Sequence, residues 1–265
     1  MELQDRLVLV TGASSGIGAE IARAMARRGA RLALVARGRE RLEALAAELR
    51  ASGPDPIVRP ADLASLGEVE ALAAELLEGP GAPDVLVNNA GAGRWRAIDE
   101  NEPGEARRQM DLPYLAAFEL TRALAPAMIA RGSGRVVNMT SAAAYFNFPG
   151  ANGYATARWA MRAFSEHLRE DLRGTGVGVT LVVPAEVDSP YFDNNPGSRE
   201  RIPSISRPIG KLTPEQVGER VARATGRERS LCMIPWRLRP FVFSARHFPR
   251  STRALVARTG WQRPA

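Results

Sequence analysis

Six short, largely apolar runs interrupt the sequence, and the segments between most of them carry apolar residues at every third or fourth position. The runs occupy residues 7–10, 31–36, 56–59, 84–91, 135–141 and 177–183, and the fourth and fifth end in polar turns. Such runs are typical of parallel strands that are buried on both faces. Strands that alternate with helices along the chain predict right-handed crossovers. We expect a doubly wound, three-layer αβα sandwich around one mostly parallel sheet of about seven strands.

The first run leads directly into a glycine-rich turn. Residues 11–18 read Thr-Gly-Ala-Ser-Ser-Gly-Ile-Gly, and apolar positions at helical spacing predict a helix from there to about Arg28. Glycines let the backbone turn tightly beside a pyrophosphate, and the free N–H groups of a helix start face the anion. The pattern favours dinucleotide binding. The residues expected to contribute are Gly12, Ser14, Ser15, Gly16, Ile17 and Gly18.

The second strand ends in Arg37, where a NAD-preferring protein usually presents a carboxylate to the ribose 2′-hydroxyl. A guanidinium at Arg37, assisted by Arg39, can instead pair bidentately with a 2′-phosphate, which favours NADP(H) as the cofactor. The alternative is that both arginines only begin a solvated helix over residues 39–50. Beyond the third strand, Asp62 and Leu63 are expected beside the adenine.

A helix that begins near Asn152 carries the residues best suited to chemistry. Tyr154 and Arg158 are four residues apart, so the phenol and the guanidinium share one face of that helix. A permanent cation there favours the phenolate, as a tyrosine acting as general acid or base requires. The alternative is an ordinary pair on a solvated helix face. Ser141 ends the fifth strand, and Asn89 follows the fourth, where it serves local hydrogen bonding or lines the ligand crevice.

In sequence order these pieces resemble the short-chain dehydrogenase/reductase family, over roughly residues 5–235. The glycine turn matches the family's cofactor loop, residues 88–91 match its sheet-stabilising Asn-Asn-Ala-Gly motif, and Ser141 with Tyr154 matches its catalytic pair. The resemblance implies a Rossmann-type fold in which Tyr154 is the acid/base for the substrate oxygen and Ser141 holds that oxygen. It also implies cofactor contacts from Asn89, Tyr154, Arg158, Pro184 and Val187.

Three positions depart from the family pattern. Arg158 stands where the family has lysine, Asp111 aligns with its active-site asparagine, and Pro184-Ala185 replaces its Pro-Gly. Arginine can hold the phenol and the ribose, but it cannot release a proton to a relay. We expect Asp111 and Arg158 to form a charged pair beside Tyr154, and Pro113 to kink the helix near Asp111. The implied catalytic set is Ser141, Tyr154, Arg158 and Asp111, and no metal-ligand set is identified.

Positive charge is concentrated at the C-terminus. The net charge is +7, and residues 236–265 contain seven arginines and no acidic residue, so residues 1–235 are formally neutral (7 − 7 = 0). We divide the chain into a domain of residues 1–235 and a basic, aromatic extension of residues 236–265. The extension is expected to contact an anionic membrane or a partner subunit without contributing to catalysis, or else to pack on its own domain. No recognised reader motif accompanies the charge, so no nucleic-acid partner is expected.

Cysteine usage and the N-terminal sequence predict a cytoplasmic protein. Cys232 is the single cysteine, so no internal disulfide can form, and charged residues interrupt the N-terminal segment. Residues 189–212, rich in proline and glycine, are expected to form a lid over the substrate. Several aromatic residues fall in segments expected near the nicotinamide, where they indicate a hydrophobic or ring-bearing substrate or merely fill the core. They are Trp95, Tyr145, Phe146, Phe148, Tyr191 and Phe192.

Two functions are consistent with these features. The first is an NADP(H)-dependent oxidoreductase that interconverts a carbonyl and a secondary alcohol and works as a homo-oligomer, a dimer or a tetramer. The alternative is a redox-silent protein of the same fold, either an isomerase, lyase or cyclase or a ligand-binding pseudoenzyme.

Overall fold

Seven parallel strands form one sheet in the computed structural model, which describes residues 1–51 and 53–263. The strands are β1 (Leu7–Thr11), β2 (Arg31–Ala36), β3 (Ile57–Pro60), β4 (Val85–Asn88), β5 (Gly134–Met139), β6 (Val177–Pro184) and β7 (Leu231–Ile234). Their spatial order is β3-β2-β1-β4-β5-β6-β7, and every neighbouring pair is parallel. The strand order changes direction between β1 and β4, which opens a crevice at the carboxyl ends of these strands. The predicted doubly wound sheet is confirmed.

Helices cover both faces of the sheet. Those in the described residues are α1 (Gly16–Ala26), α2 (Arg39–Arg50), α3 (Leu66–Glu78), α4 (Glu105–Met110), α5 (Ala116–Arg131), α6 (Asn152–Asp171), α7 (Pro214–Gly226), α8 (Leu238–His247) and α9 (Pro249–Thr259). Short 3₁₀ turns occur at Ile98–Glu100, Ala142–Ala144, Arg199–Arg201 and Ser204–Ile209.

Alternation along the strands divides the apolar core into two layers. On β1, Val8 and Val10 pack with α1, α2 and α7, whereas Leu7 and Leu9 pack with α3 and α5. All five residues of β1 are buried, because successive side chains of a strand point to opposite faces and both faces are covered. Each fully buried Leu or Val contributes about 1.5–3 kcal/mol relative to an exposed one, so these layers stabilise the sheet that positions the crevice.

A π-helical turn over Asp111–Leu115 separates α4 from α5. Pro113 lies within this turn and has no N–H to donate, so the regular α-helical ladder cannot continue through it. The Ala116 N–H donates to the carbonyl of Asp111, five residues earlier, which is the π-helical spacing. The predicted irregularity near Asp111 is therefore present as one widened turn.

The C-terminal helices α8 and α9 pack back onto the domain. Leu238, Phe241 and Val256 join a third apolar cluster with Phe146 and Ile209. The basic extension therefore packs on its own domain, which was one of the two arrangements expected for it. Among the described residues, no helix combines the length and the apolar character needed to cross a membrane.

Candidate active site

A cleft of about 940 Å³ lies at the carboxyl ends of the central strands. The glycine-rich turn before α1, the turn after β4, the end of β5 and the start of α6 all contribute to its wall. Open α/β sheets bind ligands at this topological position. The remaining wall comes from residues 184–210 and, at the far end, from α8 and α9.

Two glycines of the glycine-rich turn, Gly12 and Gly18, are packed so closely that side chains cannot replace them. Gly12 has a positive φ of 65°, and a Cβ built on Gly18 would lie 2.1 Å from the Gly12 carbonyl oxygen. The backbone therefore reverses directly into α1, whose first turn carries no acidic residue. The free N–H groups and the positive end of the helix dipole favour an anion such as a pyrophosphate at this place.

Thr11 and Asn89 tie this turn to the neighbouring strand end. The Thr11 hydroxyl accepts hydrogen bonds from the N–H groups of Asn89 and Ala90, each at 2.9 Å. The Asn89 amide nitrogen in turn donates to the Thr11 carbonyl at 2.9 Å. Asn89 both lines the cleft and fixes the spacing between the turns after β1 and β4.

A buried chain of side-chain hydrogen bonds holds the next two strands and α6 together. The Asn88 amide donates to the Asn138 oxygen at 2.8 Å, and the Asn138 amide donates to the Ser165 hydroxyl at 2.9 Å. Asn88 also donates to the Thr121 hydroxyl of α5 at 3.2 Å. Because each buried donor has a partner, the network stabilises the framework below the cleft.

Ser141 lies at the end of β5 and faces the cleft. Its hydroxyl oxygen accepts a hydrogen bond from the Ala143 N–H at 3.2 Å, which leaves the hydroxyl proton available to a ligand. The preceding Thr140 hydroxyl donates to the backbone carbonyl of Arg158 at 2.8 Å. This bond ties the strand end that carries Ser141 to the helix that carries Tyr154.

Tyr154 and Arg158 share the cleft-facing side of α6. The guanidinium carbon of Arg158 lies 5.0 Å from the centre of the Tyr154 ring, in the range of a cation–π contact. Only 8% of Arg158 is exposed, and its Nε atom is buried without a hydrogen-bond partner. A Cβ built on Gly91 would lie 2.9 Å from a terminal nitrogen of Arg158, so a larger residue there would displace the guanidinium.

The charged pair predicted between Asp111 and Arg158 is not present as a direct ion pair. Within the described residues no carboxylate oxygen lies within 4.0 Å of the Arg158 guanidinium. Asp111 begins the π-helical turn, and the neighbouring Leu112, not Asp111, lines the cleft. The widened turn changes which residues face α6, so the pairing expected from a regular helix does not occur.

Asp62 also lies outside the wall of the cleft, although its neighbours Ala61 and Leu63 line it. One oxygen of the Asp62 carboxylate accepts a hydrogen bond from the Ala64 N–H at 3.1 Å, which closes a local turn before α3. All the other predicted cofactor-binding positions line the cleft. They are Gly12, Ser14, Ser15, Gly16, Ile17, Gly18, Arg37, Leu63, Asn89, Tyr154, Arg158, Pro184 and Val187.

Two arginines line the end of the cleft beside β2. Arg37 was predicted from the sequence, but its partner is Arg41, whereas Arg39 lies outside the wall and pairs with Glu43 at 3.6 Å. In the described part of the chain, neither Arg37 nor Arg41 forms an ion pair. Two uncompensated guanidinium groups on one wall form a cationic end that suits a phosphate.

Aromatic side chains surround Tyr154. The Trp95 ring lies 5.5 Å from the Tyr154 ring and stacks on Phe148 at 5.4 Å. The Tyr191 ring lies 5.9 Å from Tyr154, and its hydroxyl donates to the Gly93 carbonyl at 2.7 Å. Burial raises the pKa of Tyr191 well above its ordinary value, so this second phenol stays neutral beside Tyr154.

Of the other aromatic residues expected here, Phe146 and Phe192 line the cleft, whereas Tyr145 does not. The Tyr145 ring instead packs under the Arg162 guanidinium, whose carbon lies 4.1 Å from the ring centre. Burial raises the pKa of Tyr145 as well.

The far end of the cleft was not predicted from the sequence. Leu238, Phe241, Ser244, Thr252 and Leu255 of the C-terminal helices line it, so the extension contributes to the cavity. The expectation that the extension takes no direct part in catalysis concerns the reaction and stays a prediction. The apolar spacing of α8 was readable in the sequence, but its position over the cleft follows from the tertiary packing.

The residues present fit a bound dinucleotide. A cradle closed by glycines suits a pyrophosphate, and the cationic end at Arg37 and Arg41 suits a further phosphate. A buried cation without a counter-charge is costly, so the orphaned Nε of Arg158 is best explained by ligand oxygens that occupy its surroundings.

The chain is similar in sequence to known dehydrogenases. A family model described as short chain dehydrogenase matches residues 6–199. A protein from Bos taurus named "Dehydrogenase/reductase SDR family member 7B" is 34% identical over 236 residues, which cover 86% of this chain and 72% of that protein.

Two solved structures extend the likeness to the fold. A short-chain dehydrogenase from Sphingobium yanoikuyae in complex with NADPH is 27% identical, with a TM-score of 0.81 and 98% of each chain covered. A short chain dehydrogenase/reductase from Burkholderia phymatum in complex with NAD has a TM-score of 0.84 over 100% of this chain and 99% of the other. Because its identity is 24%, the second likeness concerns the fold alone.

Proposed function

The chain belongs to the short-chain dehydrogenase/reductase family, and from that premise we propose that it is an NADP(H)-dependent oxidoreductase. The proposed reaction interconverts a carbonyl and a secondary alcohol on a hydrophobic or ring-bearing small molecule. One observation carries the proposal: Tyr154, Ser141 and Arg158 line the same cleft as the glycine-rich turn. Groups suited to proton transfer and groups suited to nucleotide binding thus share one cavity.

Tyr154 moves the proton at the substrate oxygen. Its hydroxyl gives a proton to that oxygen during reduction and takes one during oxidation. Arg158 faces the Tyr154 ring, and no carboxylate among the described residues lies within ion-pair distance of its guanidinium. Arg158 cannot itself release a proton, so the phenol must recover its proton from the solvent in the open cleft.

Ser141 orients the substrate oxygen for this exchange. Since its oxygen already accepts from Ala143, its hydroxyl proton is directed to another acceptor. A neutral donor aimed at the carbonyl oxygen stabilises the negative charge that develops there. The hydrogen bond from the Thr140 hydroxyl to the Arg158 carbonyl holds the segment that carries Ser141 against the helix that carries Tyr154.

When bound, the nicotinamide supplies or accepts the hydride. The glycine-rich turn would hold the pyrophosphate, and the guanidinium of Arg158 would hold the adjoining ribose. Arg37 and Arg41 would bind the 2′-phosphate, which is the basis for proposing NADP(H) over NAD(H). The Sphingobium structure with NADPH supports this choice.

A hydrophobic substrate is supported by the wall beyond Tyr154. Trp95, Phe146, Phe148 and Tyr191 border this part of the cleft, and α8 and α9 line its far end. Removal of this apolar area from water favours the binding of a hydrophobic ligand.

We further propose that the protein is a homo-oligomer that uses the outer face of α5 and α6. Tyr114, Phe118 and Phe164 form an aromatic cluster there, with ring centres 5.4–6.2 Å apart. Phe118 and Trp159 are 39% and 43% exposed, which is unusual for side chains of this size on a solvated face. Sedimentation equilibrium should show a dimer or tetramer that dissociates in Phe118→Glu; a monomeric wild type would refute the proposal.

The test of the function is a cofactor titration followed by turnover. NADPH should quench the protein fluorescence at lower concentration than NADH, and a panel of hydrophobic ketones should then oxidise NADPH. Tight NADPH binding without turnover of any ketone would instead support a redox-silent protein. Equal or tighter binding of NADH would refute the cofactor assignment.

A further inference from the structure

The α8–α9 hairpin has two chemically different faces. On α8, Leu238, Phe241, Val242 and Ala245 point inward and join the third apolar cluster. This 3–4 spacing defines one buried stripe of an amphipathic helix. The opposite side of α8 and most of α9 are exposed. We call this exposed side the outer face of the hairpin.

The outer face is cationic and uncompensated. Six arginines of the extension are exposed and form no ion pair with any carboxylate in the described chain: Arg237, Arg239, Arg246, Arg250, Arg253 and Arg258. Arg263 is the exception, because it binds the Asp99 carboxylate with two hydrogen bonds of 2.6 and 3.0 Å. Because no carboxylate of the described chain pairs with these six arginines, their charge is available to an external anion.

Large apolar side chains are exposed among these arginines. Trp236, Phe243 and Phe248 are 68%, 59% and 60% exposed, and Leu255 is 46% exposed. The hairpin thus exposes aromatic rings on a face that its own domain leaves uncovered. Aromatic residues interspersed with arginines, without acids, are typical of elements that lie in the interface of an anionic membrane.

The cleft opens onto the same face. Leu255 and Ser251 are exposed and also line the cleft, as do Ile205 and Ser206 of the neighbouring 3₁₀ turn, which contacts α9. The distal mouth of the cleft is therefore framed by α9 and the 3₁₀ turn Ser204–Ile209. The cavity that begins beside Tyr154 ends at the surface that carries the exposed rings.

We infer that the outer face of the α8–α9 hairpin docks on an anionic lipid bilayer, with the distal mouth of the cleft turned toward the lipid. Passage of an apolar substrate through this mouth rests on the proposed function, whereas the docking does not. The charge attracts anionic headgroups, and the exposed rings and Leu255 enter the acyl boundary. A nucleic acid would satisfy the arginines but leave Phe243, Phe248 and Leu255 without an apolar partner.

Vesicle co-sedimentation of the full-length protein tests the docking. We expect it to pellet with phosphatidylcholine vesicles that contain phosphatidylserine and not with phosphatidylcholine alone. The triple variant Arg239→Glu, Arg246→Glu, Arg250→Glu should partition about a hundredfold more weakly, because each basic residue near the surface contributes a several-fold gain. These three arginines lie outside the cleft, so NADPH quenching should be unchanged and would show that the variant is folded.

A charge-matched control separates docking from net charge. Arg31, Arg107 and Arg227 are exposed, form no ion pair in the described residues and lie outside the hairpin. The variant Arg31→Glu, Arg107→Glu, Arg227→Glu should pellet like the wild type. Equal loss in both triple variants would overturn the inference, as would absence of anionic vesicle binding by the wild type. So would a wild-type dimer that the hairpin variant converts to monomer, or preferential binding of a DNA duplex.

The orientation of the mouth is tested without turnover. With Cys232→Ser as background, a polarity-sensitive fluorophore on Ser251→Cys should shift to the blue on anionic vesicles. The same label on Ala51→Cys, which is exposed at the end of α2, should not shift. No shift at position 251, or equal shifts at both positions, would overturn the orientation. Failure of ketone reduction would count against the proposed function only, since neither measurement uses it.

Discussion

The guanidinium of Arg158 lies 5.0 Å from the centre of the Tyr154 ring on a side chain that is 8% exposed and unpaired among the described residues. In most proteins a cation this buried has a carboxylate partner, because an uncompensated buried charge is costly. Here the positive charge remains available to the phenol on one side and to a ligand on the other. Burial of the unpaired Arg158 guanidinium therefore lowers the stability of the fold, and the same charge is the one that the proposed site uses.

Removing the Tyr154 hydroxyl should abolish turnover while preserving cofactor binding. In Tyr154→Phe the acid/base is lost, and we expect kcat to fall by about 10²–10⁴-fold. NADPH quenching should remain, because the ring and its contacts with Trp95 and Arg158 persist. Tyr145→Phe removes the same atom from a tyrosine outside the cleft and serves as the control. Similar losses in both variants would contradict the assignment.

Asp111 and Arg158 should behave independently, since the structure contains no direct ion pair between them. We expect Asp111→Asn and Arg158→Lys to have additive effects on the free energy of unfolding, with a coupling energy below about 0.5 kcal/mol. Arg158→Lys should retain a substantial part of the activity, because lysine also places a cation beside the phenol. A double-mutant cycle measured by urea unfolding checks this. A coupling above about 1 kcal/mol would restore the pair predicted from the sequence.

The proposed preference for NADPH should depend on Arg37 and Arg41. Loss of charge-assisted hydrogen bonds to a phosphate typically costs 1.5–3 kcal/mol, so each change to alanine should raise the Kd for NADPH by about tenfold or more. The Kd for NADH should hardly change. Arg39→Ala provides the matched control, because Arg39 lies outside the cleft and pairs with Glu43. Fluorescence titration measures the Kd for NADPH of each variant. Equal increases in this Kd for Arg39→Ala and Arg41→Ala would refute the assignment of Arg41.

The sequence was sufficient to predict the sheet because its strands are short apolar runs buried on both faces. β1 illustrates this, with five buried residues between a polar N-terminus and a glycine-rich turn. β7 is harder to recognise in the sequence, because it is an edge strand that is only partly buried. Its first residue, Leu231, is 42% exposed. The positions of the glycine-rich turn and of Ser141 were also predictable, because each follows the end of a strand. The position of Tyr154 was predictable because it lies on one face of a helix.

The positions that sequence reasoning missed depend on geometry that spacing does not encode. Arg41 lines the cleft and Arg39 does not, because α2 begins between Arg37 and Arg41 and turns Arg39 toward Glu43. Asp111 is turned away by the π-helical turn at Pro113. The contribution of α8 and α9 to the cleft results from long-range packing against β7 and the 3₁₀ turn Ser204–Ile209, which no local pattern reveals.

Acid should weaken the ion pair between Glu100 and Arg201, which holds the predicted lid of residues 189–212. We call this ion pair the clamp. Arg201 donates to both oxygens of Glu100 at 2.6 and 2.8 Å, and its guanidinium carbon lies 4.6 Å from the Trp261 ring centre. The Arg201 hydrogen bonds and the Ala97 N–H hold the pKa of Glu100 below its usual value. A lowered folded-state pKa means that the stabilisation is complete at neutral pH and is lost as the pH falls below about 4.5.

Glu100→Gln should therefore lower the Tm by a few degrees at pH 7, and this difference should shrink as the pH falls below about 4.5 and the wild-type carboxylate becomes protonated. Differential scanning fluorimetry over this pH range gives the measurement. Glu102→Gln is the control, since Glu102 is more exposed and lies 3.4 Å from Arg96. A Tm difference that stays constant with pH would contradict the clamp.

Narrowing the distal mouth should discriminate between substrates by length. Leu255 lines the cleft and is 46% exposed, so Leu255→Trp adds bulk at the mouth without disturbing the core. We expect kcat/KM for a long-chain ketone to fall by about tenfold, the usual effect of a poorly fitting apolar group, while a short ketone is reduced at the wild-type rate. Ala254→Trp places the same bulk on the adjacent exposed residue, which does not line the cleft, and should leave both rates unchanged. Equal losses for long and short ketones would mean that the substrate does not extend from Tyr154 to α9. In that case the apolar far end of the cleft would have no part in selecting the substrate.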